Sequence, residues 1–132
     1  MGLVLIYNLP EGEKRRRIRV ALLRLGIPLR DVSPGELSHP LGYLAGLEGF
    51  GPSEEPAGES FSEEMLVLCG LSQKTFNALL DALRASRASV ALKAVLTETN
   101  AGWSSLELYR AIRAEHDSMS AAVKKRREAA KP

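Results

Sequence analysis

Cysteine is almost missing from this chain: Cys69 stands alone among 132 residues, so no internal disulfide and no multi-cysteine metal site can form. Within the run MLVLCGL it reads as a small buried hydrophobe rather than a reactive thiol. Histidine is nearly as scarce, and neither His39 nor His116 has a partner at metal-ligand spacing, so no metal site is expected. The sequence contains no glycine-rich phosphate loop, no nucleophile elbow and no HExxH pair. Gly42, Gly46, Gly49 and Gly51 are spaced unlike a dinucleotide fingerprint, and no cofactor is expected. Apolar runs are short, none approaching the length that spans a bilayer, and no basic start leads into a secretory apolar stretch. These absences predict a cytoplasmic protein with no membrane contact, whose enzymatic status leans towards none. An enzyme with this inventory would have to work through a lysine, threonines or scattered carboxylates.

Charge of one sign is also missing from a third of the chain. Residues 31 to 73 hold no lysine or arginine but carry Asp31, Glu36, Glu48, Glu54, Glu55, Glu59, Glu63 and Glu64, while basic clusters lie at Lys14 to Arg17 and Lys124 to Arg127. The net charge of +2 argues against a dedicated nucleic-acid binder, yet segregation of this kind allows local patches. The length predicts one domain with a self-sufficient core, and an apolar share of 45% is that of an ordinary globular protein.

What is present is a repeated pattern. LVLIYNLP, from Leu3 to Pro10, is an apolar run closed by turn residues and reads as a strand covered on both faces. From Glu13 to Leu25, Ile18, Ala21, Leu22 and Leu25 recur at helical spacing, and Gly26 and Pro28 stop the helix. PLRDVS supplies a short second strand suited to an edge. MLVLCGLS, Met65 to Ser72, then copies the first strand; Ser72 caps a helix with Phe76, Leu79, Leu80 and Leu83 on one face; and VALKAVLT, Val90 to Thr97, closes the unit. Aligned, Leu29 and Arg30 match Leu92 and Lys93, which suggests an internal duplication. Ser104 and Glu107 form a capping box, with Trp103 and Leu108 as a hydrophobic staple, for a last helix carrying Tyr109, Ile112, His116 and Met119.

The expectation is an α+β fold, a ferredoxin-like βαββαβ sheet with the extra C-terminal helix on its second face; a small doubly wound parallel α/β sandwich is the alternative. Residues 1–117 would form the single domain, with a mobile acidic loop at 48–64, and 118–132 a frayed or disordered basic tail.

Chemically, the stretch LKAVLTETNAGW, Leu92 to Trp103, is the most unusual. Lys93 lies among apolar neighbours, where a desolvated lysine can act as base or nucleophile, and where an edge-strand lysine more commonly guards against association. Thr97, Thr99 and Asn100 at the strand end, next to Trp103, could hold a small anionic or polar ligand, although threonine also favours strands and asparagine ends them in turns. In SHPLGYLAGL, His39 and Tyr43 stand one helical turn apart, as a packed satellite of the core or as a binding surface. Arg15, Arg16 and Arg17 with the basic tail could grip phosphates, but Leu5 stands where a base-stacking aromatic would be wanted, and nucleic acid is not the expected partner. The leading expectation is a non-enzymatic binding or regulatory module, serving a protein partner or forming a homodimer. Its contact surface would be the end of the fourth strand and the PLGYLAGL segment. Alternatives are a minor enzyme using Lys93 and weak nucleic-acid binding.

At EEMLVLCGLS, LKAVLTETNAGW and LELYRAIRAEH, together with PLGYLAGL, the chain resembles a bacterial family catalogued as domain of unknown function thirty-seven eighty-three. The likeness extends over most of residues 3 to 117, and LKAVLT-T-N--W is its most specific part. The resemblance implies a bacterial, cytoplasmic origin and brings no activity, ligand or catalytic residue with it.

Overall fold

Leu3–Tyr7 (β1) and Met65–Cys69 (β3) are apolar at every position, and such strands are stable where both faces of a sheet are covered. In the computed structural model, which describes residues 2–56, 58–88 and 90–115, they form the antiparallel centre of a four-stranded sheet, with Leu5 opposite Val67. Leu29–Val32 (β2) lies parallel to β1 at one edge, and Leu92–Val95 (β4) lies parallel to β3 at the other. Each edge strand is reached through a crossover helix, Glu13–Arg24 (α1) or Gln73–Ala85 (α3).

Alternation along the central strands builds two cores. Val4, Ile6, Leu66 and Leu68 meet Ile18 and Leu22 of α1 and Leu79 and Leu83 of α3. On the other face, Leu5, Tyr7, Val67 and Cys69 meet Leu41 and Leu44 of the short helix Leu41–Leu44 (α2) and Leu106 and Leu108 of the last helix, residues 105–115 (α4). The α+β class and a C-terminal helix on the second face therefore hold.

The ferredoxin-like arrangement does not. That arrangement separates each closing strand from its opening strand by a neighbour, whereas here each pairs directly with its own, giving the order β2-β1-β3-β4. The sheet is mixed, so the all-parallel alternative fails as well. The cause lies between β2 and β3. A tight hairpin would force those two strands to pair, but residues 33–64 form a long connector with a 3-10 turn at Pro34–Glu36 and then α2. That length frees β3 to pass β2 and pair with β1.

The alignment of the two closing strands also needs correction. Arg30 is the partner of Leu5, on the α2 and α4 face, while Lys93 is the partner of Leu66, on the α1 and α3 face. A slip of one residue sends a side chain to the opposite face of a sheet, so the two cations do not occupy equivalent places.

Local signals set the element ends. Gly26, at φ 68°, lets Ile27 N–H return to Leu22 O at 2.9 Å and close α1. Ser72 Oγ accepts from Thr75 N–H at 3.2 Å at the start of α3, and Ser104 Oγ accepts from Glu107 N–H at 3.2 Å at the start of α4. The acidic connector is tied down from Asn8, whose amide donates to Phe61 O at 2.8 Å and Glu63 O at 3.0 Å. Phe61 stacks on Tyr109 with ring centroids 4.0 Å apart.

One buried bond joins the sheet to α4. The Tyr7 hydroxyl and Ser105 Oγ lie 2.7 Å apart, with Ser105 fully buried, and burial raises the Tyr7 pKa. Tyr7→Phe strands the serine hydroxyl and is expected to cost about 1–3 kcal/mol by urea denaturation. Tyr7→Phe combined with Ser105→Ala removes both partners, and should recover part of that loss.

Candidate functional site

A helix as short as α2 has no internal acceptors for its first N–H groups. Leu41 N–H donates to Trp103 O at 2.8 Å and Gly42 N–H to Ala101 O at 2.8 Å, so the loop after β4 caps α2 and draws PLGYLAGL against the end of the fourth strand. At the other end of α2, Arg30 Nη1 donates to Leu44 O at 2.8 Å while its Nη2 binds Glu36 at 2.9 Å. The Ser33 backbone N–H, with its hydroxyl and Arg30, holds the Glu36 carboxyl below the usual carboxylate range.

Between these two segments lies a groove of about 390 Å³ at the carboxyl ends of β3 and β4. Ala45, Leu47 and Phe50 form one wall, Leu96, Thr97 and Glu98 the other, and Cys69 lies beneath. The lining is mostly apolar. Burial pushes the Cys69 thiol up to about 12, so it stays protonated and unreactive at neutral pH. Glu98 is exposed and has no ion-pair partner among the described residues. It is the single charged side chain lining the groove among the described residues.

The sequence-identified residues divide between this groove, its supporting loop and the other face. Thr97 lines the groove. Asn100 is buried and committed to the turn: its Oδ1 accepts from Thr97 N–H at 2.8 Å, its amide donates to Val95 O at 3.0 Å, and its own N–H donates to Thr97 Oγ1 at 3.1 Å. Thr99 is exposed in the same turn, and Trp103 is half-buried against the second core. His39 and Tyr43 meet edge to face at 5.1 Å. His39 Nδ1 accepts from Ser53 N–H at 2.9 Å, which assigns the ring proton to Nε2.

Lys93 is elsewhere. It is exposed on the α1 and α3 face, donates to Val90 O at 3.0 Å, and lines a separate cavity with Leu80, Leu83, Arg84, Arg87 and Ala88. It does not share a cavity with His39. Arg15 is largely withdrawn, donating to Leu9 O at 2.9 Å and pairing with Asp31; Arg16 and Arg17 stay exposed and pair with Glu13. His116, Met119 and the basic tail lie outside the described residues.

The sequence marks the segments that hold Leu47, Leu96 and Glu98 without singling those residues out, and the contact surface expected from it does not reach Phe50. Leu47 and Phe50 belong to an irregular segment with no periodicity to mark a facing direction, and their place in a glycine-rich stretch was the available signal. Among the described residues no cluster of His, Cys, Asp and Glu could hold a metal ion, and no helix is long and apolar enough to cross a membrane.

A family model, Domain of unknown function (DUF3783), matches residues 64–119. It is the family that the sequence resembles, and the match takes in β3, α3, β4, the Thr97–Trp103 loop and the described part of α4. It thus covers one wall of the groove, whereas α2 and the first strand-helix-strand unit fall outside it. No curated protein matches the chain.

Proposed function

We propose that this is a small cytoplasmic, non-enzymatic binding module that takes a short apolar peptide segment bearing a basic residue into the groove between the end of β4 and PLGYLAGL. The observation that carries the reading is the groove's composition: about 390 Å³ lined by Leu47, Phe50 and Leu96, with the Glu98 carboxylate as the lone charge among the described residues. Apolar side chains seated there leave water, and a lysine or arginine beside them pairs with Glu98. The walls come from elements already joined by backbone hydrogen bonds, so little ordering is needed on binding. Acyl transfer and general acid–base chemistry find no support in this groove, because burial keeps the thiol protonated and Glu98 is the one carboxylate lining it among the described residues. A lysine-based enzyme is likewise unsupported by an exposed Lys93 on the opposite face.

Two synthetic heptapeptides with the same Leu and Phe core, one carrying lysine and one glutamate, test the reading through the melting temperature of the full chain. The lysine peptide is expected to raise it more, reflecting a preference of about fivefold, or roughly 1 kcal/mol. Glu98→Lys should reverse the order of the two peptides. A melting temperature indifferent to both would end this reading.

A further inference from the structure

We propose that the face opposite the groove, formed by α1 and α3, binds the phosphate backbone of a nucleic acid across the last turn of α3, without regard to base sequence. Charge that is segregated along the chain is segregated in space by the sheet. On the α2 and α4 face the cations are matched, Arg30 by Glu36, Arg110 by Glu59 and Arg113 by Glu63. On the α1 and α3 face they are in excess: Arg24, Arg87 and Lys93 have no carboxylate partner among the described residues.

Arg24 lines one cavity and Arg87 and Lys93 line a second, and the two flank one helical turn of α3. The first, about 420 Å³ between α1 and α3, is lined by Arg24 and by Arg16 and Arg17, which share Glu13, together with Ala82 and Ala85. The second, about 390 Å³ on the other flank of α3, is lined by Arg87 and Lys93 and by Arg84, which pairs with Asp81, together with Leu80 and Leu83. Their separation is set by the width of a helix with its side chains, roughly 10–12 Å. A small anion could occupy one cavity; a nucleic-acid backbone, charged along its whole length, can engage both.

Neutralisation of the α3 dipole does not account for the set. The carboxyl end of a helix is electronegative, and Arg84 and Arg87 offset it, but Arg24 and Lys93 come from other elements. Among the described residues no aromatic side chain lines either cavity, so the contacts fall on phosphate rather than on stacked bases. An anionic bilayer fits less well. The apolar stripe of α1, Ile18, Ala21 and Leu22, is buried in the core, whereas a helix lying in a membrane surface needs that stripe outward. Of the two exposed apolar residues of α1, Val20 lines the first cavity and Leu23 lines neither, too few for a helix lying in a membrane surface.

The test uses the full chain and two fluorescein-labelled duplexes of unrelated sequence, followed by anisotropy between about 50 and 200 mM salt. Both duplexes are expected to bind alike, with a log–log salt slope of about −0.9 for each phosphate engaged. Arg24→Gln, Arg87→Gln and Lys93→Gln together should weaken binding about tenfold and flatten the slope by about two to three units. Should that triple variant melt early, Arg24→Gln alone, at an exposed position of α1, should weaken binding about twofold to threefold with the slope flatter by about one. The proposal is overturned if neither duplex binds at low salt, if binding survives the triple substitution intact, or if glutamine at Lys124, Lys125, Arg126 and Arg127 abolishes it. Uptake by phosphatidylserine vesicles without binding to either duplex would overturn it equally.

Discussion

Asn100→Ala is expected to lower the stability of the protein by about 2–4 kcal/mol, because it strands the Thr97 N–H and the Val95 carbonyl together in one turn. Chemical denaturation measures this directly. Asn100→Asp keeps an acceptor for Thr97 N–H but sets a second acceptor oxygen against Val95 O in a buried turn, so it too should destabilise the fold. The pair separates two roles that the sequence leaves open. A ligand-holding amide would, on truncation, lose affinity while the fold kept its stability. An amide that closes the turn loses stability first, and any loss of peptide binding follows from movement of Thr97 and Glu98 on the groove wall. The geometry assigns Asn100 to the second role, since each of its side-chain polar atoms is already bonded within the turn.

The second large effect is expected at Gly42. A Cβ built there would lie 2.5 Å from the Phe50 ring, inside any real carbon–carbon contact, while Gly42 itself is buried. Gly42→Ala must displace either the ring or α2, at about 1–3 kcal/mol for overpacking. Because Phe50 is also a groove wall, the same substitution should weaken the lysine heptapeptide at temperatures where the protein remains folded. Leu47→Ser, at a position 45% exposed, provides the contrast: it should leave stability within about 0.5 kcal/mol and still weaken the peptide. Gly42→Ala acting on stability alone would detach Phe50 from the proposed function.

These expectations show where the sequence was legible. Central strands were readable because MLVLC and LVLIY are apolar at successive positions, which only two covered faces tolerate. Gly26, Ser72 and the Ser104–Glu107 pair act within a few residues of themselves, and the structure has each bond where local chemistry put it. Strand order was not readable, since it depends on what the 33–64 connector does over a distance that no local pattern spans. The alignment of Arg30 with Lys93 fails for a different reason: edge strands as short as LRDV and LKAV have too few apolar positions to fix their register. At the candidate site, the two segments PLGYLAGL and LKAVLTETNAGW do meet, through backbone bonds to Trp103 O and Ala101 O. Which side chains line their junction was hidden, because Leu47 and Phe50 follow α2 in irregular chain and acquire a direction only when α2 is capped by a loop far away in sequence.

The most direct test of the account is a heteronuclear NMR titration of the full chain with the lysine-bearing heptapeptide. The account predicts shift changes that concentrate on Leu47, Phe50, Leu96, Thr97 and Glu98 and leave Arg24, Arg87 and Lys93 unmoved. Changes centred instead on the α3 cavity around Lys93, or none at saturating peptide, would contradict it.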